Sequence, residues 1–107
     1  MSHLSIAIVS LFLAAGAAFA QTGPPDASLT ANSLFVKNCA KCHGKTAGGR
    51  HFGGPSLISD KISSTPAEDL RNIVTDGKGH MPKFGAKLTP DQIDTLVRQI
   101  KALNHKK

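Results

Sequence analysis

The 107-residue chain contains no Trp and no Tyr, and its only aromatic residues are five Phe. Apolar residues make up 40% of the whole chain. Residues 1–20 hold much of that share and leave about 32% apolar residues for positions 21–107. A chain of this size and apolar content forms only a marginal core by itself. The composition therefore predicts that a disulfide, a metal, a cofactor or a partner completes the core.

Acidic residues are also scarce, with seven Asp and Glu against 13 Lys and Arg and a formal net charge of +6. A basic chain of this kind is compatible with nucleic-acid binding. Nucleic-acid-binding surfaces that read single strands interleave aromatic with basic residues, and this chain has no such pattern. We therefore expect no nucleic-acid partner.

The first 20 residues resemble a secretory signal peptide. They are almost wholly apolar and end in Ala-Phe-Ala at residues 18–20, which is typical of a signal-peptidase site. No Lys or Arg precedes the apolar run, so an uncleaved N-terminal anchor is the alternative. We predict cleavage after Ala20, a flexible leader over residues 21–29, and one exported, periplasmic domain over residues 30–107.

Hydrophobic spacing predicts three or four short helices and no strand. Ala31, Leu34, Phe35 and Cys39 lie on one stripe of a first helix that is expected to start at about Thr30. A second helix starts in the sequence Thr-Pro-Ala-Glu at residues 65–68, with Thr65 as the expected N-cap, and ends at Gly77. The sequence Thr-Pro-Asp-Gln at residues 89–92 begins a closing helix in the same way. Its apolar stripe consists of Ile93, Leu96, Val97, Ile100 and Leu103.

Residues 44–54 contain five glycines and precede Pro55, so this segment is expected to be a loop. A long loop in so small a domain is unusual unless it wraps around another group. The glycine content therefore supports the expectation of a central cofactor.

The two cysteines form the sequence Cys39-Ala-Lys-Cys42-His43, a C-x-x-C-H pattern typical of c-type haem attachment. Two thiols three residues apart on a helical turn project to one side and can reach the two vinyl groups of one haem. The imidazole of His43 follows directly and can lie over the iron. The pattern predicts one covalent haem c bound through Cys39 and Cys42.

Three other sites use similar residues. A thioredoxin-like pair needs a βαβ context, which this sequence does not predict. A zinc site needs a fourth ligand, for which the sequence offers His51, His80 and His105 at spacings unlike those of zinc modules. A structural disulfide between residues three apart closes too small a loop to stabilise the fold much.

Met81 is the only methionine after Met1, and it lies in a short loop with glycines before it and Pro82 after it. Such a loop suits the presentation of one side chain, and a thioether as second axial ligand raises a haem's reduction potential. We favour Met81 as the sixth ligand. The alternative is His80, which would give bis-histidine ligation.

These motifs together resemble the class I cytochromes c of the small bacterial and photosynthetic kind. The resemblance covers nearly all of residues 30–103. It rests on the C-x-x-C-H motif after a helix bearing Phe35, on Gly-Pro-Ser-Leu at residues 54–57, on Met81-Pro-x-Phe84, and on the closing helix.

The resemblance implies an all-α cytochrome c fold, with helices and Gly-rich loops wrapped around one covalent haem. It implies His43 and Met81 as the axial ligands, and a hydrogen bond from the ring N–H of His43 to the Pro55 carbonyl that fixes the tautomer. It also implies a function, because members of the family shuttle single electrons between membrane complexes or periplasmic enzymes.

Two residues depart from the family's pattern. The family commonly has Gly where this chain has Ala31, and often an aromatic residue where it has Gln99. Both positions belong to the expected crossing of the first and last helices. The departures concern the packing of that crossing and not the haem site.

We expect a soluble, monomeric electron carrier that is not an enzyme and is not inserted in the membrane after signal removal. The alternatives are a haem subunit of a periplasmic dehydrogenase or oxidase, and a peroxidase or gas sensor if Met81 is labile. Five lysines lie close in sequence to the axial-ligand segments: Lys41, Lys45, Lys78, Lys83 and Lys87. They predict redox partners with acidic docking surfaces.

Overall fold

The computed structural model describes residues 28–105; the predicted signal peptide and most of the predicted leader lie outside them. The described chain forms five α-helices and contains no named strand. After a 3₁₀ turn at Leu29–Ala31, the helices are α1 (Ser33–Asn38), α2 (Ala40–His43), α3 (Asp60–Ser64), α4 (Ala67–Asp76) and α5 (Pro90–His105). The prediction of an all-α fold is confirmed.

The first predicted helix is divided into α1 and α2 at Cys39. Asn32 caps α1 with its side-chain oxygen, which accepts a hydrogen bond of 2.9 Å from the backbone N–H of Leu34. Cys39 has φ −118° and ψ −35°, outside regular helical geometry, yet its N–H still donates to the Phe35 carbonyl at 2.8 Å. Cys39 is thus both the C-cap of α1 and the N-cap of α2.

Helix α5 starts as the sequence predicts. The N–H of Gln92 donates to the hydroxyl of Thr89 at 3.2 Å, and the N–H of Thr89 donates to the side-chain oxygen of Gln92 at 2.8 Å. These reciprocal bonds form a capping box. The residues of its predicted apolar stripe are buried in the core, except for Leu103, which is partly buried against it.

Gly77 caps the C-terminus of helix α4, as the sequence predicts, but the helix begins one residue later than predicted. Pro66 is the N-cap, without a side-chain capping bond. The hydroxyl of Thr65 donates instead to the Lys61 carbonyl at 2.6 Å, at the end of α3. The sequence analysis did not predict α3, whose N-terminus is capped by Ser59.

The core lies between α5 and the helices that pack against it. Helix α5 contacts α4, α3 and the 3₁₀ turn at Leu29–Ala31. Arg71 of α4 donates two hydrogen bonds to one carboxylate oxygen of Asp94, the shorter at 2.6 Å, and this ion pair joins α4 to α5. No helix within residues 28–105 is long and apolar enough to cross a membrane.

Gln99, one of the two departures, is buried where α5 meets the start of α1. The side-chain nitrogen of Asn32 donates to the Gln99 side-chain oxygen at 2.8 Å, and both side chains are buried. A buried polar side chain is costly unless it is hydrogen-bonded. This pair satisfies that requirement across 67 positions of sequence.

Candidate haem-binding site

Both cysteines are free thiols in the structure, at the two ends of one short helical stretch. Cys39 is partly buried against the core, while Cys42 is exposed. Burial, with a smaller contribution from the neighbouring Cys42, raises the pKa of the Cys39 thiol to about 11. The Cys39 thiol therefore stays protonated at neutral pH, unlike the low-pKa cysteines of disulfide oxidoreductases.

The ring of His43 is buried and fixed by one hydrogen bond. Its Nδ1 atom lies 2.8 Å from the carbonyl oxygen of Pro55, and the side chain is 8% exposed. A carbonyl can only accept, so Nδ1 carries a proton, and in the neutral ring Nε2 is then the nitrogen that has the lone pair. Neutral imidazole with one nitrogen held in this way is the usual form of a metal-ligating histidine.

The Gly-rich loop approaches this ring so closely that residue 54 must be glycine. A Cβ atom at Gly54 would lie 2.9 Å from both Cε1 and Nδ1 of His43. The N–H of Gly54 donates to the Cys42 carbonyl at 2.6 Å, and the N–H of Gly49 donates to the His43 carbonyl at 2.7 Å. The loop is therefore bound to the backbone of α2 at two points that precede Pro55.

Met81 lies in a loop held against the end of α4. Lys78 and Met81 exchange backbone hydrogen bonds of 3.2 and 3.0 Å, which close a tight turn after Gly77. Further along, the N–H of Phe84 donates to the Val74 carbonyl at 3.0 Å, which satisfies one carbonyl in the last turn of α4. Phe84 is buried, so the loop is anchored on both sides of Met81.

The structure brings Cys39 and Met81, separated by 42 positions, onto the same hydrophobic core, where both are partly buried. His80 is exposed. His51 and His105, the other histidines of the zinc alternative, are exposed too. Within residues 28–105 no three His, Cys, Asp or Glu side chains are grouped closely enough to hold a metal ion.

Asn104 is a residue of this region that sequence reasoning missed. Its side-chain nitrogen donates to the Leu57 carbonyl at 2.8 Å, and its oxygen accepts from the N–H of Ser59 at 3.1 Å. Asn104 is buried on α5 and so ties the segment that follows Pro55 to the core. The only sequence signal was a polar residue next to the apolar stripe of the closing helix.

The residues present fit a haem c. The donor set comprises two free thiols three residues apart, an imidazole whose Nε2 lone pair is uncommitted, and a thioether on an anchored loop. Besides Met81, partly buried apolar side chains adjoin the core: Leu34, Leu57, Ile62 and Leu103. Such an apolar border suits a flat, largely apolar macrocycle.

An all-α fold that carries a C-x-x-C-H motif and a methionine loop on one core defines a c-type cytochrome. A protein-family model described as cytochrome c oxidase, cbb3-type, subunit III, matches residues 26–100. The chain belongs to this family of cytochromes, and this membership supports haem c as its cofactor.

Relatives occur among both small cytochromes and larger oxidase subunits. The chain is 30% identical over 79 residues to cytochrome c6 of Gloeothece citriformis, a match that covers 64% of each protein. It is 37% identical over 84 residues to the cbb3-type cytochrome c oxidase subunit FixP of Sinorhizobium medicae. That match covers 66% of this chain but only 28% of FixP.

Solved structures show the same fold. Cytochrome c6C from Synechococcus sp. PCC 7002 is 28% identical, with a TM-score of 0.61 over 75% of this chain and 99% of that protein. The prediction of a small class I c-type cytochrome is confirmed by these comparisons.

Proposed function

We propose that the protein is an exported one-electron carrier with a single haem c. In this proposal Cys39 and Cys42 bind the haem through thioethers, and His43 and Met81 are its axial ligands. The haem, when bound, supplies one reversible change between Fe(II) and Fe(III). The chain's own residues hold the group, set its environment and present it to partners.

The observation that carries the proposal is the hydrogen bond of 2.8 Å between His43 Nδ1 and the Pro55 carbonyl. It leaves Nε2 as the free nitrogen of a buried ring, one residue after Cys42. The bond also raises the basicity of the ring, because the carbonyl draws on the Nδ1 proton. A ligand fixed in tautomer and orientation changes little when the charge of the site changes, as rapid electron transfer requires.

Met81 supports a carrier in preference to an enzyme. Its loop is anchored through Lys78 and Phe84, so the thioether is presented by fixed backbone. With His43 and Met81 both assigned to the iron, no coordination position remains for a substrate. A peroxidase or gas sensor would need Met81 to leave, and the anchored loop disfavours that.

The proposal includes export. Cleavage after Ala20 would release the chain from residue 21 into the periplasm, where haem is attached to C-x-x-C-H motifs. An intact mass and a visible spectrum of periplasmic protein test both parts together. We expect the mass of residues 21–107 plus one haem, and a weak near-red absorption in the oxidised protein typical of methionine on haem iron. A mass without haem, or a spectrum typical of bis-histidine ligation, would contradict the proposal.

We further propose that redox partners dock through acidic surfaces. Lys78, Lys83 and Lys87 are exposed around the loop that carries Met81. Charge steering of this kind raises the association rate and weakens as salt shortens the Debye length. Electron-transfer rates at low protein concentration should therefore fall as salt rises. Lys83→Glu should slow the reaction more than Lys61→Glu on α3; equal effects, or a rate indifferent to salt, would contradict this docking surface.

A second candidate is a haem subunit bound permanently to a larger oxidase. The family match and the FixP relative favour it, although this chain spans only 28% of FixP. Gel filtration of membrane and periplasmic fractions distinguishes the two functions. A free carrier elutes at the size of the single chain, whereas a subunit remains with a membrane complex.

A further inference from the structure

Two large hydrophobic side chains are exposed within residues 28–105. Phe52 is 99% exposed and Val36 is 55% exposed. Val36 lines a groove of about 420 Å³ together with Ala40, Lys41, Gly44, Lys45 and Arg50. Phe52 follows Arg50 by two residues in the same turn. We call the six lining residues the basic groove.

The basic groove combines an apolar floor with positive charge. Val36 and Ala40 supply the apolar surface, while Lys41, Lys45 and Arg50 supply three exposed cations. The guanidinium of Arg50 donates to the Lys41 carbonyl at 2.8 Å, which fixes the arginine across the loop. An arginine held in place loses less entropy when it binds a carboxylate.

Charge is distributed unevenly along the described chain. Residues 28–59 contain four Lys or Arg and no Asp or Glu, whereas residues 60–105 contain seven and six. No carboxylate within residues 28–59 neutralises the basic groove. The complement of this surface is acidic.

Phe52 is held outward by a closed turn. The N–H of Gly53 donates to the Arg50 carbonyl at 3.0 Å, and the N–H of Arg50 donates to the Gly54 carbonyl at 3.1 Å. Phe52 itself has φ +63°, a left-handed conformation that is rare for a bulky residue. Its ring contacts the ring of His51 edge-on, with centroids 4.3 Å apart. The backbone that carries the aromatic side chain is thus held in a closed turn, and the ring is solvent-exposed.

We propose that Phe52 and the basic groove form a docking surface for a protein that presents an apolar recess bordered by carboxylates. In this arrangement Phe52 is the anchor, and the cations of the groove orient the partner. Aromatic residues, phenylalanine included, and arginine are enriched in protein–protein interfaces relative to the rest of the surface. The small area suits a transient complex of the electron-transfer type.

The position of the loop makes this surface relevant to the proposed carrier, on which the inference rests. The N–H of Gly54 donates to the Cys42 carbonyl at 2.6 Å, so the Phe52 turn folds back on the proposed haem-attachment segment. A partner held by Phe52 is therefore held beside Cys42 and His43. An anionic membrane is less favoured, because binding there requires a broad apolar face and the large apolar side chains exposed here are Phe52 and Val36 alone among residues 28–105.

The test measures the retention of purified holoprotein on two films by mass uptake. One film is carboxylate-terminated, and the other mixes carboxylate with short alkyl chains. We expect tighter retention on the mixed film and about tenfold weaker binding to it for Phe52→Ser, which corresponds to about 1.4 kcal/mol. Arg50→Gln should weaken binding about threefold on both films. Lys61→Gln removes the same charge from α3 and is the control; it should weaken binding by less than half as much as Arg50→Gln does.

A double variant, Phe52→Ser with Ala102→Phe on an exposed position of α5, separates docking from general adhesion. If it restores retention, or if Phe52→Ser binds the mixed film like the wild type, the proposal is wrong. Stronger binding to phosphatidylglycerol vesicles than to the mixed film would contradict the protein partner and indicate that the surface binds an anionic membrane. Mass uptake does not depend on electron transfer, so tight binding by a protein that exchanges no electrons would contradict the proposed function but not this surface.

Discussion

Gly54→Ala should raise the reduction potential of the haem protein. The new Cβ atom would lie 2.9 Å from Nδ1 and Cε1 of His43, where ordinary contacts start at 3.4 Å. Relief of this contact needs a retreat of about 0.5 Å, which would stretch the 2.8 Å bond between Nδ1 and Pro55 to about 3.3 Å, beyond the normal range. A ring that loses this bond is a weaker donor and stabilises Fe(III) less.

The size of the expected rise in reduction potential follows from the energy of one hydrogen bond. Such a bond contributes about 1 kcal/mol net, and a tenfold change in a one-electron equilibrium corresponds to about 59 mV. We therefore expect a rise of at most about 40 mV in the variant. The same loss of stability would lower the midpoint of thermal unfolding by about 4–8 °C in a domain of this size.

A spectroelectrochemical titration measures the potential, and the NMR signal of the His43 Nδ1 proton reports the bond directly. Gly48→Ala is the matched control, since it lies in the same loop and its Cβ would meet only the hydroxyl of Thr46, at 3.2 Å. An unchanged potential and Nδ1 signal in Gly54→Ala would refute the reasoning. An equal shift in Gly48→Ala would attribute the effect to the loop and not to the ring.

Four further substitutions test the site and its support. Cys39→Ser and Cys42→Ser should reduce the yield of holoprotein, measured as covalently bound haem after denaturation, because the core needs the haem to fold. Met81→Ala should remove the near-red absorption of the oxidised protein and lower the potential, measured by redox titration. Asn104→Leu should destabilise the fold by about 2–4 kcal/mol in a denaturant titration, because two backbone groups lose their partner.

Each of these has a contradicting outcome. A stably helical protein without haem would overturn the argument from the deficient core. A near-red band absent from the wild type would favour His80 as the ligand over Met81. Asn72→Leu, an exposed change on α4, is the control for Asn104→Leu and should alter stability by less than about 0.5 kcal/mol. Equal effects of the two changes would show that the Asn104 bonds contribute nothing.

Local patterns in the sequence predicted those helices whose capping residues and apolar stripe can be recognised within a short segment. The capping box of Thr89 and Gln92 and the stripe that begins at Ile93 predicted α5, because both depend on residues within a few positions of one another. The C-x-x-C-H motif likewise places Cys39, Cys42 and His43 together through chain connectivity alone. The prediction of Thr65 as the N-cap of α4 was wrong, because its hydroxyl donates instead to the carbonyl of Lys61 in the preceding helix.

Only the tertiary structure decided the contacts between distant parts of the chain. Asn32 pairs with Gln99 across 67 positions, and Asn104 reaches Leu57 across 47. No spacing rule predicts such partners, since each depends on how whole helices pack. The exposure of Phe52 belongs to the same class, because a phenylalanine in a sequence is expected to be buried unless a turn directs it outward. The sequence by itself determined which residue types the proposed site contains, and packing determined how its supporting groups are held and that Phe52 is exposed.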